Sequence, residues 1–364
     1  MRSRISHFTR SPGFTLIELL VSMSILTLLL LMLVAITGAT QRTWSYTTGK
    51  VEQFRDAREA FESLSRKLRQ ATLNTYLDYD DPTAPTTYMR QSELRFISGD
   101  ATTLTGATNM PTHAIFFQAP LGYVDDTTNY GNLETLLNTW GYFIEFGSNR
   151  SWRPPFINSL PHPLAERYRF RLMELMEPSE SLTLYQSEVA AGGNAQYDYH
   201  HTEWFTTPLS AANRPARVLA ENIIALVLLP KLTPQEDPTG ALLCPSYAYN
   251  SAKTDNNNST TVNAAINWKN QLPPVVQVTM VAVDDASFGR FLRATTMMPS
   301  SLFTDSGGQA LFQNAGDIVN SDNAGYAQDM KTLQKNLQAQ KINYRVFTTD
   351  VSIKAAKWSR IQTH

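Results

Sequence analysis

Residues 14–36 read FTLIELLVSMSILTLLLLMLVAI, an unbroken apolar run holding a single charged residue, Glu18. At 1.5 Å of rise per residue, a helix over this run measures about 30 Å, the thickness of a bilayer's hydrocarbon core. It can therefore span a membrane. The ordinary reading of such a run is a signal anchor or a secretory leader, because Arg2, Arg4 and Arg10 precede it. A secretory leader would be cut after the apolar core, where Thr37 and Ala39 in ITGAT offer only a weak site. Glu18 argues for something more particular. On insertion scales an ionised carboxylate costs about 2.5–3.5 kcal/mol at the bilayer centre and less near an interface, so its presence needs a reason. Gly13 stands immediately before the run, and Glu18 is the fifth residue after it.

The segment GFTLIELL at 13–20 resembles the class III leader motif of type IV pilins and type II secretion pseudopilins. The resemblance implies that a membrane aspartyl peptidase cuts after Gly13 and that Phe14 becomes an N-methylated amino terminus. It also implies that Glu18 pairs with the terminal amine of Phe14 on a neighbouring subunit. The physics agrees with those roles. Glycine offers a protease a backbone without a side chain, and the cut falls on the basic, cytoplasmic side. A carboxylate in apolar surroundings becomes tolerable once it has a partner. The implied partners are the prepilin peptidase and methyltransferase, the inner membrane and other pilin or pseudopilin subunits. The same resemblance implies a single-pass protein with its N-terminus in the cytoplasm and its head in the periplasm.

From Pro12 to Pro82 no proline intervenes, although Gly38 and Gly49 are possible soft points. Phe54, Ala57, Phe61, Leu64, Leu68 and Ala71 recur at helical spacing on one face, with charged residues around them. The stripe is too short for a convincing coiled coil, so it is expected to pack on the protein's own sheet. The expected organisation is a basic leader over 1–13, a membrane and assembly half of the helix over 14–36, and an amphipathic half over 37–77. One helix from Phe14 to Leu77 would be on the order of 90 Å long. A β-rich head follows over 78–364. The fold class is thus α+β, a pilin-like spine whose second half packs against an antiparallel sheet.

Within the head, SELRFISG, HAIFFQAPLG, TWGYFIEFG and RYRFRLMELME read as strands between Gly, Pro and Asn punctuation. RVLAENIIALVLLP at 217–230 and LPPVVQVTMVAVDD at 272–285 read as two strongly apolar strands around a polar loop that includes 253–261. A helix is expected over 325–342, with Met330, Leu333 and Leu337 on one face, and a closing strand over 344–358. VLAENI and LPPVVQVTMVAV resemble the minor pseudopilin class J. SELRFISG, HAIFFQAPLGY and YRVFTTDVSIKAAKWSR are similar to the verrucomicrobial cassette pseudopilins called Verru_Chthon protein C.

A chain of 364 residues with 42% hydrophobic and 17% charged content can bury a large core. Its 31 Lys+Arg against 32 Asp+Glu leave a net charge of −1, which supplies no field for nucleic acid. DNA uptake therefore has no electrostatic support. The single cysteine, Cys244, excludes an intrachain disulfide and a multi-cysteine zinc site. No GxSxG, P-loop, HExxH or GxGxxG occurs. Adjacent His200 and His201, near Glu203, would point to opposite faces of a strand and could not share one metal ion from it. His200 and His201 are expected as surface or turn residues. No cofactor is expected. Calcium, which minor pseudopilins sometimes carry, has a candidate in Asp255, Asn256, Asn257 and Asn258, which lack the order of an EF-hand and read better as a solvated turn. The acidic pairs Asp125/Asp126 and Asp284/Asp285 read as polar turns rather than as general acid and base. Trp140, Trp152, Trp204, Trp268 and Trp358 could form an adhesive face, but large aromatics in a sheet domain belong mostly to its core. The expectation is a non-enzymatic minor pseudopilin or pilin-like subunit at a tip or initiating position. A pilin-anchored adhesin or substrate-binding protein is the alternative.

Overall fold

The computed structural model describes residues 15–79, 81, 83–133, 135–160, 164–184, 202–237, 243–252, 268–292, 296–315 and 325–358. The chain forms two compact units, Met1–Gln53 and Phe54–His364. A single helix, α1, runs over Leu16–Leu68, with Arg66 and Lys67 in its last turn, where cations complement the helix dipole. It stops well short of the expected Leu77. Beyond Ala71 the apolar stripe ends, and Thr72, Asn74 and Thr75 are residues that favour other backbone bonding over helix. The Thr72 N–H donates to the Gln118 carbonyl at 2.9 Å, already in sheet territory. Asn74 Oδ1 accepts the backbone N–H groups of Glu93 and Leu94 at 3.0 and 3.1 Å. Residues expected in the helix instead begin a small antiparallel ribbon, β1 (Tyr76–Tyr79) with β2 (Tyr88–Gln91).

The predicted stripe is buried as expected. Ala57, Phe61, Leu64, Leu68 and Ala71 are core residues, Phe54 is half-buried, and Ala60 joins them. On the solvent side, Arg55–Glu59 and Arg58–Glu62 form i,i+4 ion pairs at 2.9 Å, of the kind that stabilise a helix slightly.

The helix root is seated in a core shared by two antiparallel sheets. The larger has the order β7-β6-β5-β4-β3-β9, from β3 (Phe96–Asp100), β4 (His113–Pro120), β5 (Leu137–Ser148), β6 (Tyr168–Glu177), β7 (Ala216–Glu221) and β9 (Tyr249–Asn250). Phe117, Tyr142, Ile144, Phe170 and Leu172 share the core that holds the helix root. The alternate residues Phe116, Phe143, Met173 and Leu175 pack with Trp204 and Phe205 of a second helix, α2 (Glu203–Ser210). Burial on both faces is why these strands read as near-continuous apolar runs instead of alternating ones. At the centre of β5, Gly141 lies opposite Phe116, and a Cβ at Gly141 would meet Cδ1 of that ring at 2.3 Å. The space is taken because Phe116 stacks on Phe205 with centroids 4.0 Å apart.

The smaller sheet has the order β11-β10-β8, from β8 (Ile223–Lys231), β10 (Val275–Val283) and β11 (Tyr344–Ser352). The run 217–230, read as one strand in the sequence, is therefore two strands in two different sheets. The break is Asn222, at φ +60°, a left-handed conformation that asparagine tolerates better than most residues. Its N–H donates to the Phe170 carbonyl at 2.8 Å and its carbonyl accepts the Val283 N–H at 2.9 Å, so the break also stitches the sheets together. His113, which is buried, is a second stitch. Nδ1 accepts the Leu228 N–H at 3.0 Å, which leaves Nε2–H to donate to the Phe312 carbonyl at 3.0 Å. Burial holds its pKa down, so the ring stays neutral.

Two further helices of the head are α3 (Asp285–Phe291) and α4 (Tyr326–Ala339). Met330, Leu333 and Leu337 of α4 are buried, as their spacing predicts. The Tyr326 hydroxyl bonds Thr279 Oγ1 of β10 at 2.7 Å.

Candidate functional site

The candidate site begins at the mouth of the apolar span. The Thr15 N–H and hydroxyl both donate to Glu18 Oε2 at 2.9 Å, and the Glu18 N–H reaches back to Thr15 Oγ1 at 3.4 Å. This is a reciprocal capping box, which satisfies donors that a helix start would otherwise leave open. Glu18 Oε1 makes no bond to a described residue.

The span that follows, Leu16–Gln41, is long and apolar enough to cross a bilayer, and none of it is buried by the protein. Its five hydroxyl side chains all turn back onto the helix. Ser22, Thr27, Thr37 and Thr40 donate to the carbonyls four residues earlier, and Ser24 to the one three residues earlier, at 2.6–2.9 Å. In hydrocarbon an unpaired donor is costly, and these hydroxyls present none to the lipid. Glu18 is the only charged residue in the span, and its Oε1 has no partner among the described residues.

Residues 9–34 match the family model described as the prokaryotic N-terminal methylation motif. The match takes in Gly13, Phe14 and Glu18, and it supports a type IV pilin-like protein with a prepilin leader and a membrane-anchoring helix. Neither the curated proteins nor the solved structures compared with the chain match it.

In this pilin-like protein the second notable site lies where the helix root meets β6, and the sequence reading missed it. Glu174 is fully buried, and its Oε1 accepts Lys67 Nζ at 2.7 Å, Tyr142 OH at 2.7 Å and Trp140 Nε1 at 2.8 Å. Its Oε2 accepts Arg217 Nε at 2.8 Å and Nη2 at 2.7 Å. Burial alone would push this carboxyl up. The bonds from Lys67, Tyr142 and Trp140 together with the Lys67 charge outweigh it and hold the group below its usual range. Lys67 Nζ also sits 4.2 Å from the centroid of the Trp140 ring. The available signal was Glu174 itself, a charge sharing a strand face with Phe170 and Leu172.

The remaining candidates are distributed as follows. Gly13, Phe14, His200, His201 and the run Asp255–Asn258 lie outside the described residues. Glu203 opens α2. Asp126 caps a turn by accepting the Thr128 and Asn129 N–H groups, while Asp125 takes the Tyr123 hydroxyl at 2.9 Å. Asp284 caps α3 through the Ser287 N–H at 2.9 Å, and Asp285 pairs with Arg169 at 2.9 Å. Both acidic pairs are thus engaged in local structure. Cys244 is buried, and desolvation pushes its thiol well up, away from the thiolate a nucleophile needs. Trp140, Trp204 and Trp268 are core residues, Trp358 is half-buried and Trp152 is exposed. Among the described residues no cluster of three or more His, Cys, Asp or Glu side chains is arranged to hold a metal.

Glu177, at the end of β6, behaves oppositely to Glu174. Burial pushes its carboxyl up, against the bonds that Thr183 donates to Oε1 from its N–H, at 2.9 Å, and from its hydroxyl. A carboxyl whose folded pKa is raised loses its proton first in the unfolded chain. Wild-type stability therefore falls as pH climbs from the unfolded value, about 4.3, through the folded one. Glu177→Gln keeps the Oε1 acceptor and does not titrate. Its Tm is expected to exceed that of the wild type at pH 8 by more than at pH 4, as read by thermal denaturation of the head at the two pH values.

Proposed function

We propose that the chain is a minor pseudopilin-like structural subunit of a type II secretion or type IV pilus-like assembly. It is cut after Gly13, methylated on Phe14, and drawn into the assembly through Glu18. It sits in the inner membrane with the leader on the cytoplasmic side and the head in the periplasm until it is extracted. The observation that carries this reading is the Gly13–Phe14–Glu18 spacing at the mouth of the span. There, every hydroxyl of the span donates within the helix, and one carboxylate oxygen has no partner among the described residues. A spare acceptor in hydrocarbon is costly alone and favourable when a neighbour brings an ammonium. The finer assignment to class J, or to the Verru_Chthon protein C kind, rests on the sequence segments alone.

The head supports a tip or initiating position, because its core spans Ala57 to Ile353 and bulk of that order at every step would crowd a helical lattice. Mass spectrometry of the mature N-terminus is the direct test. A methylated phenylalanine at position 14 is expected, and an intact Met1 or a start near Thr40 overturns the reading. Immunogold labelling is expected at fibre ends, and labelling along the whole shaft overturns the tip position.

A further inference from the structure

In the connection from β5 to β6, the described residues 149–160 and 164–167 turn large apolar side chains outward. Phe156 is 67% exposed and Leu164 62%, while Leu160 and Trp152 are 44% and 36% exposed. The described parts of this loop are tied to one another by hydrogen bonds. Asn149 and Arg167 close its base, with the Asn149 N–H donating to the Arg167 carbonyl at 2.9 Å and the Arg167 N–H to Asn149 Oδ1 at 3.0 Å. The Arg153 guanidinium crosses it to donate to the carbonyls of Leu164, at 2.8 Å, and Ala165. Asn158 Nδ2 reaches the Arg150 carbonyl at 3.2 Å, and Pro154 and Pro155 restrict the backbone ahead of Phe156.

The charge around them is one-sided. Arg150, Arg153 and Arg167 against Glu166 make three cations to one anion in this segment, within a chain whose net charge is −1. Glu166 pairs with Arg150 at 3.1 Å, which leaves Arg153 and Arg167 without a carboxylate partner among the described residues. Arg214, which pairs with Glu145 at 2.7 Å and so adds no net charge, lies 5.6 Å from the centroid of the Trp152 ring.

We propose that this loop inserts shallowly into the surface of a lipid bilayer bearing anionic headgroups. Trp, Phe and Leu side chains favour the boundary between headgroups and acyl chains, and flanking arginines gain from phosphate and from negative surface potential. The loop's hydrogen bonding is largely spent within itself, so what it offers outward is apolar surface rimmed by cations. That combination suits a fluid anionic interface.

Every described buried residue lies at or after Ala57, so the head can be made as residues 54–364 without the anchor, and the result does not depend on leader processing. The head is expected to co-sediment with vesicles of equimolar phosphatidylethanolamine and phosphatidylglycerol, and more weakly with pure phosphatidylcholine. Lipids brominated in the acyl chain should quench its tryptophan fluorescence, and Trp152→Phe should remove that quenching. The exposed double variant Phe156→Ser/Leu164→Ser is expected to keep the wild-type Tm and to bind at least about tenfold less. Absence of binding, equal binding by the double variant, or equal binding to the neutral vesicles overturns the proposal. A head that ignores both vesicles but self-associates through Phe156 and Leu164 overturns it in favour of a second copy of this chain.

Discussion

Glu174→Gln is expected to destabilise the head by about 3–5 kcal/mol, the typical result of removing one member of a buried ion pair. The carboxylate accepts from Lys67, Tyr142, Trp140 and Arg217, and one substitution strips the charge that all four were placed to meet. The losses differ in kind. The Arg217 side chain is 55% exposed and can turn to water, whereas Lys67 is only 21% exposed and is held against Trp140. Lys67→Met should therefore cost less, roughly 1–3 kcal/mol, because Arg217 and the two neutral donors still serve Glu174. The double variant Lys67→Met/Glu174→Leu should recover part of the Glu174→Gln loss, since the unpaired charge it leaves, on Arg217, is half exposed and can turn to water rather than stay buried. Denaturant unfolding of residues 54–364 measures all three. A Glu174→Gln cost below about 1 kcal/mol would show that the carboxylate does not hold the helix root in its seat. The sign of the pH dependence follows from the lowered pKa. The stabilisation is fully present above the ordinary carboxyl range and is lost as pH falls through the folded value.

The same residue shows where sequence reasoning stops. The stripe Ala57–Phe61–Leu64–Leu68 was legible because helical spacing places those side chains on one face whatever they pack against. The helix expected over 325–342 and found over 326–339 was legible for the same reason, since periodicity is a local property, whereas the closing strand expected over 344–358 ends at Ser352. The division at Asn222 was not, because a run buried on both faces has no alternation, and nothing local separates a long strand from two strands in different sheets. The end of α1 at Leu68 was set by long-range bonds from Thr72 and Asn74 to residues 118 and 93–94, which no window of sequence contains. Glu174 and Lys67 stand 107 positions apart, so neither announces the other. His113 looked like any polar residue at a strand start, and only the arrival of Leu228 and Phe312 makes it a buried tie. The membrane end of the protein was the reverse case. There, the lipid imposes a one-dimensional rule on composition, and GFTLIELL could be read without knowing any tertiary contact.

Glu18→Leu is expected to leave membrane insertion and leader cleavage intact while lowering incorporation into the assembly by about two orders of magnitude. That is the scale set by ~3 kcal/mol for a buried charge pair. Insertion should if anything improve, because the substitution removes a carboxylate from the span. The capping box makes a sharper comparison possible, since helix capping and the proposed pairing with a neighbour are separable duties of Glu18. Thr15→Ala removes the donor hydroxyl of the box but leaves the charge, whereas Glu18→Gln keeps an acceptor for Thr15 and loses the charge. If a neighbour's ammonium is what Glu18 meets, Gln should fail nearly as badly as Leu, and Thr15→Ala should assemble within a few-fold of the wild type. If helix capping is its whole purpose, the order reverses, with Gln close to normal and Thr15→Ala impaired. Quantifying each variant in sheared fibres against its membrane-bound pool reads the difference directly. A Gln variant that assembles like the wild type removes the charge from the mechanism, because an amide accepts the same bond from Thr15 and can offer an ammonium no counter-charge.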